Sequence, residues 1–287
     1  MARVVMVHGI NNTFGGRPRM AHEWTAALLG GVELAAGLPG TLSNRDIECV
    51  FYGDLFRPAG RFLGDDLPFL AAEDVDDPLE VQLLLAWWEA AARSDPGVPP
   101  PDGRLLSARA TARAALLALA NSRFFAHVSE RMLVWWLKQV TLYFTQSDVR
   151  AAIQRRFASV VRSDTRVVVA HSLGSVVAYE ALCAHPDWAV TDFVTLGSPL
   201  GVPHVILHRL TPAPQRDHGL KGFWPGSVRR WVNVTDDGDI VALQPRLRDV
   251  FGDRVTDVGI NNGIAAHDVQ RYLTAPEVGA AVLAGLP

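Results

Sequence analysis

Cysteine is scarce: Cys49 and Cys183 are the only two in 287 residues, and both sit in apolar segments. Two thiols cannot make a disulfide framework, so the expectation is a pair of buried free cysteines in a reducing compartment. Lysine is scarcer still for a chain this long, with Lys138 and Lys221 alone among 27 basic residues, a compositional habit with no functional content. Runs of like charge are missing and the net charge is −3, which leaves a nucleic-acid partner without electrostatic support. No uninterrupted apolar stretch approaches the ~18 residues that a membrane span requires. The opening Met-Ala-Arg-Val-Val-Met-Val reaches Gly9 without an apolar h-region, so no secretory signal peptide is expected and a cytoplasmic location is the default expectation. Internal repeats and low-complexity tracts are absent as well.

What is present is ordinary globular composition, 49% hydrophobic, in a chain long enough for one large domain or two small ones. Short continuous apolar strands are expected at 3–7, 46–52, 166–170, 190–196, 229–235 and 254–258. Helical patterns lie near 20–37, 148–162, 174–184 and 201–210, and a last helix begins near 268. Buried strands alternating with helices are the pattern of an α/β fold, a mostly parallel sheet with helices on both faces. The stretch 54–147 breaks this rhythm. It is helical in pattern, punctuated by Pro68, Pro78 and the Pro-rich run 95–103, and it carries Trp87-Trp88 and Trp135-Trp136. A connection of that length reads as an inserted helical cap or lid between core segments 1–53 and 148–287. Its tryptophans are read as core packing, with an apolar acyl- or ligand-binding pocket as the alternative.

The sharpest local signal is Val-Val-Val-Ala-His-Ser-Leu-Gly-Ser at 167–175. A β-branched run ends on a polar pair and turns at once into helix-forming sequence. A serine at such a corner either caps the helix or is a reactive group held up for use. A nucleophile elbow needs very small residues two positions before and two after the serine, and Ala170 and Gly174 meet that need around Ser172. Alanine at the first position is tighter than the usual glycine. The positive end of the following helix favours negative charge developing at the site.

Acyl transfer also needs donors for an oxyanion. The N–H of Leu173, directly after the serine, is one candidate. The N–H of Ile10, in the His8-Gly9 loop that follows strand 3–7, is the second, with Asn11 behind it. A serine hydroxyl needs a base, and the base needs an acid to fix its tautomer. Asp236, Asp237 and Asp239 follow strand 229–235. Asp239 is chosen because the chain re-enters apolar packing at Ile240-Val241, and Asp237 is held in reserve. Among nine histidines His267 alone follows the acid in chain order, beyond the final strand and before a helix. His204 and His208 have an i, i+4 spacing that suits a metal, but no glutamate stands between them as in His-Glu-x-x-His, so they read as a surface helix face and no metal site is expected.

The order Ser172, Asp239, His267, with the His8-Gly9 loop upstream, resembles the α/β-hydrolase fold, in particular its lipase-like serine esterases. The likeness covers most of the chain outside 54–147, and Phe-Val-Thr-Leu-Gly-Ser-Pro-Leu-Gly at 193–201 is similar to the family's sixth-strand segment. The family's first two strands have no counterpart, since strand 3–7 matches the third. The resemblance implies cofactor-free hydrolysis of an ester through an acyl-enzyme, with an apolar small-molecule acyl substrate. Two alternatives stay open: an acyltransferase or thioesterase with the same triad, and a catalytically silent scaffold used for binding.

Overall fold

The computed structural model describes residues 3–13, 15–57, 68–101, 107–125, 128–216 and 220–286. The Pro-rich run expected at 95–103 is therefore described only as far as residue 101. The chain divides into two compact units, Met1–Leu55 with Ala151–Pro287, and Phe56–Arg150.

The first unit holds six strands: β1 (Val4–Val7), β2 (Ile47–Val50), β3 (Val167–His171), β4 (Asp192–Leu196), β5 (Arg230–Asp236) and β6 (Val255–Ile260). Its helices are α1 (Arg17–Ala36), most of α5 (Ser147–Val160), α6 (Leu173–Ala184), the single turn α7 (Arg248–Phe251), α8 (Val269–Thr274) and α9 (Pro276–Ala284). The strands form one sheet in the order β2-β1-β3-β4-β5-β6, every pair parallel. The apolar runs are unbroken because both faces are buried. Val4, Met6, Val167, Val169, Val194, Leu196, Val232 and Val234 share one core with Met20, Trp24 and Leu28 of α1 and with Tyr272 and Val278 of α8 and α9. On the opposite face Phe193 and Trp231 pack with Tyr179 of α6 and Phe251 of α7. The chain after β1 thus goes to one face and the chain after β3 to the other. In an open α/β sheet the crevice between two such neighbours, at their carboxyl ends, is where ligands bind.

Two elements differ from the sequence expectation. Residues 201–210 form a series of turns with one 3₁₀ turn at Leu207–Arg209. Pro203 and a positive φ of 61° at His204 interrupt any helix there. The last helix is split into α8 and α9 because Ala275, which precedes Pro276, is extended at ψ 131°.

The second unit holds α2 (Pro78–Ser94), α3 (Ala108–Ala120) and α4 (Glu130–Thr145). Each starts on a side-chain cap: Asp77, Ser107 and Ser129 accept from the N–H groups of Leu79, Ala110 and Met132. Trp87 and Trp136 flank Phe125 with ring centroids 6.0 and 6.4 Å away, and the Trp88 indole donates to the Pro99 carbonyl at 2.7 Å. These tryptophans pack inside the helical unit. Among the described residues no helix is long and apolar enough to cross a membrane.

Candidate active site

Ser172 occupies the corner between β3 and α6 with φ 53° and ψ −131°, a region sparsely populated by residues with a side chain. It holds the helix-capping position, yet its hydroxyl makes no capping bond. The cap reading of this serine therefore fails on geometry. Neighbours fix its backbone instead. Its N–H donates to the Leu196 carbonyl at 3.0 Å. Its carbonyl accepts from the Ser175 hydroxyl at 2.6 Å. Ser175 has spent its one proton there, so at the 2.7 Å contact with Ser198 it accepts, and Ser198 accepts in turn from the Leu200 N–H at 3.3 Å. This buried chain ties the strained corner to the loop after β4.

The small residues around Ser172 are small because backbone passes close by. A Cβ on Gly174 would lie 2.4 Å from the His8 carbonyl oxygen. A Cβ on Gly9 would lie 2.7 Å from the Ser172 Cβ and 3.2 Å from its Oγ. The loop after β1 therefore runs beside the serine. Leu173 is the first residue of α6, where no helical carbonyl reaches its N–H.

His8 sets the orientation of the next peptide. The Tyr52 N–H donates to its Nε2 at 3.0 Å, so the ring proton is on Nδ1, which donates to the Gly9 carbonyl at 2.5 Å. In a planar trans peptide that turns the Ile10 N–H the opposite way. Burial holds the His8 imidazole neutral, its pKa brought down from 6.5 to about 4. Tyr52 stacks on it at 4.0 Å and its hydroxyl donates to the His8 carbonyl.

The three aspartates after β5 separate cleanly. Asp236 accepts from the N–H groups of Gly238 and Asn262, so its carboxylate braces two loops. Asp237 is exposed. Asp239, whose side chain has no exposed surface, accepts from His267 Nδ1 at 2.7 Å. The same oxygen, Oδ2, accepts from the Tyr272 hydroxyl at 2.8 Å, while Oδ1 accepts from the N–H groups of Val241 at 3.0 Å and Ala242 at 3.4 Å. A carboxylate with so many donors is an acceptor toward the imidazole, which puts the ring proton on Nδ1 and leaves Nε2 with a lone pair.

Gly197, immediately after β4, has φ 51°, and a Cβ there would lie 2.5 Å from Asp239 Oδ2 and 3.0 Å from His267 Nδ1. The Leu196–Gly197 corner thus touches both Ser172, through its N–H, and the His267–Asp239 pair. His171, next to the serine, lies 4.5 Å from the His267 ring, and its Nε2–H donates to the His267 carbonyl at 3.2 Å. Burial, then the neighbouring His267, push the His171 pKa well below the usual imidazole range. Ser172, Asp239 and His267 are thereby gathered at the carboxyl ends of β3, β4 and β5, beside the switch point predicted by topology. The His267 side chain keeps 20% of its surface. Among the described residues the Ser172 hydroxyl has no hydrogen-bond partner.

Sequence reasoning passed over Tyr272 and the bracing roles of His8, His171, Ser175 and Ser198. A buried tyrosine in a helix carries no linear signal of what its hydroxyl reaches. His204 and His208 are exposed and stacked at 4.9 Å, with the His204 N–H on His208 Nδ1. Among the described residues no group of three or more His, Cys, Asp or Glu is arranged to hold a metal ion. A cavity of about 660 Å³, lined by Arg17, Arg45, Glu48, Cys49, Arg156 and Arg162 among others, follows the outer edge of β2 and includes none of the cluster around Ser172. No protein-family model and no curated protein matches this chain.

Proposed function

We propose that the chain is a serine hydrolase of the α/β-hydrolase type that cleaves carboxylic esters through an acyl-enzyme. The observation that carries this reading is the serine on a positive-φ corner with an uncommitted hydroxyl, one strand away from a histidine whose Nδ1 is engaged by a buried carboxylate. That combination supports a reading in which Nε2 is the free basic atom that serves Ser172, the division of roles that serine acyl transfer requires.

In this reading His267 Nε2 takes the Ser172 proton as Oγ adds to the ester carbonyl. The tetrahedral oxyanion receives the N–H of Leu173, at the positive end of α6, and the N–H of Ile10, turned outward by the His8–Gly9 bond. Donors of this kind contribute about 10²–10³-fold each to the rate. Collapse expels the alcohol, which takes the proton from His267. Water then adds to the acyl-enzyme with His267 again as base and releases the acid. Asp239 holds the tautomer and faces the imidazolium formed in both steps.

The test is covalent labelling with a fluorophosphonate probe, followed by peptide mapping, together with turnover of p-nitrophenyl esters of graded acyl length. The expected result is a single phosphonylated serine at 172, lost in Ser172→Ala together with turnover. A wild-type protein that takes no label and turns over no ester of the series removes this reading in favour of a silent scaffold.

A further inference from the structure

The geometry points to Tyr272 as a positioning residue that shares Asp239 Oδ2 with His267 and thereby sets how strongly the acid–base pair holds its proton. This rests on the hydrolase reading for its kinetic consequence, but not for its chemistry. Tyr272 is fully buried, and its hydroxyl touches two groups of opposite character. The Asp236 N–H reaches the oxygen at 2.9 Å, and a backbone N–H can only donate. The single hydroxyl proton is therefore directed at Asp239 Oδ2, 2.8 Å away. Burial, reinforced by the facing Asp239, raises the phenol pKa, so the group remains a donor across the working pH range.

The order of atoms is then unambiguous: Asp236 N–H to Tyr272 oxygen, Tyr272 O–H to Asp239 Oδ2, and His267 Nδ1–H to the same Oδ2 from the other side. Two donors divide one carboxylate oxygen. Each withdraws charge from it, and each bond is weaker than it would be alone. The hydroxyl also clamps the turn between the end of β5 and Asp239, because Asp236 and Asp239 meet at it. A phenol in this place has two effects. It restricts where the carboxylate sits, and it lowers the negative charge that an imidazolium at His267 faces.

The experiment is Tyr272→Phe, which keeps the ring and its packing. If the hydroxyl divides Oδ2, its removal leaves more charge facing Nδ1–H and stabilises the protonated ring. The acidic limb of the kcat/KM profile should then move to higher pH by roughly half a unit to one unit, with kcat several-fold lower from lost orientation. The Nδ1 proton resonance in the proton NMR spectrum should move downfield at the same time. A limb that stays in place or moves to lower pH, with an unmoved resonance, reduces Tyr272 to core packing and overturns the inference. The wild-type protein offers a check without substitution: a slowly exchanging phenol proton with a cross-relaxation peak to His267 Nδ1–H is expected, and its absence counts against the proposal. Both NMR readouts stand even if no ester is turned over, so failure of the hydrolase reading and failure of this one are separable.

Discussion

The two compact units use polar side chains in opposite ways. In the helical unit, several polar groups work close to home or at the surface, and a buried exception is Glu80, which pairs with Lys138 from another helix. Asp77, Ser107 and Ser129 cap their own helices, and Lys138 also reaches the exposed Asp76. Two buried indole N–H groups, of Trp87 and Trp136, find no partner there among the described residues. In the sheet unit the buried polar groups reach far along the chain: Tyr52 to His8, Thr195 to Asn233, His267 and Tyr272 to Asp239. All described non-glycine residues with positive φ, Asn11, Ser172 and His204, belong to that unit as well. Strain and buried polarity persist only where surrounding structure over-determines them. The helical unit is specified by apolar packing and caps. The sheet unit is additionally specified by a buried polar network.

Breaking the network at its centre should have the largest effect. Ser172→Ala is expected to lower kcat/KM by about 10⁴-fold or more, while melting temperature stays near the wild-type value because the hydroxyl makes no structural bond. Ester turnover and calorimetry on the same preparation check both halves. Next comes Gly197→Ala, which presses a methyl group on the Asp239–His267 pair. A displacement of this kind costs about 10²-fold in kcat, with about 1–3 kcal/mol of stability measurable by urea unfolding.

A pH titration sharpens the comparison further. The unfolded chain protonates His8 near 6.5, whereas the folded protein refuses that proton until about pH 4. Stability from this group is therefore complete above 6.5 and falls as pH drops through the window, by roughly 3 kcal/mol in all. The His8 ring resonance should titrate with a midpoint near 4, and a midpoint near 6.5 would contradict its burial. The smallest effect is expected in the helical unit. Trp136→Phe deletes an indole N–H that has no partner among the described residues, so the unfolding free energy should change by less than about 1 kcal/mol. A loss of several kcal/mol would mean that the larger ring's packing against Phe125 or a bond of its nitrogen carries weight.

Much of the sheet was legible because a strand buried on both faces has to be apolar at every position, as at Val4–Val7 and Val167–Ala170. The corner at Ser172 was legible for a different reason, since close approach of the His8 backbone admits only glycine at 174. Choosing Asp239 over its neighbours rested on the return to apolar sequence at Ile240; in the structure Asp239 accepts from His267 and Asp237 is exposed. The helix expected at 201–210 misled because its apolar residues have helical spacing, while Pro203 forbids the hydrogen bonds. Pro276 was equally visible as a break inside the last helix and went unread. Nothing linear connects Tyr272 to Asp239 or His8 to Tyr52. Those bonds depend on which strand lies beside which, and parallel order is a property of the folded sheet rather than of any window of sequence.

β2, at one of the sheet's two edges, has a neighbour on one side only among the described residues. An open parallel margin is a standing invitation to foreign chain, and here ionic couples stand guard: Arg17 with Glu48 on the strand itself, and Arg156 with Asp54 just beyond its end. Intruding backbone would have to strip water from those charges before it could dock. Strands appended at this margin would leave the Ser172 corner in place, since β1 lies between β2 and β3.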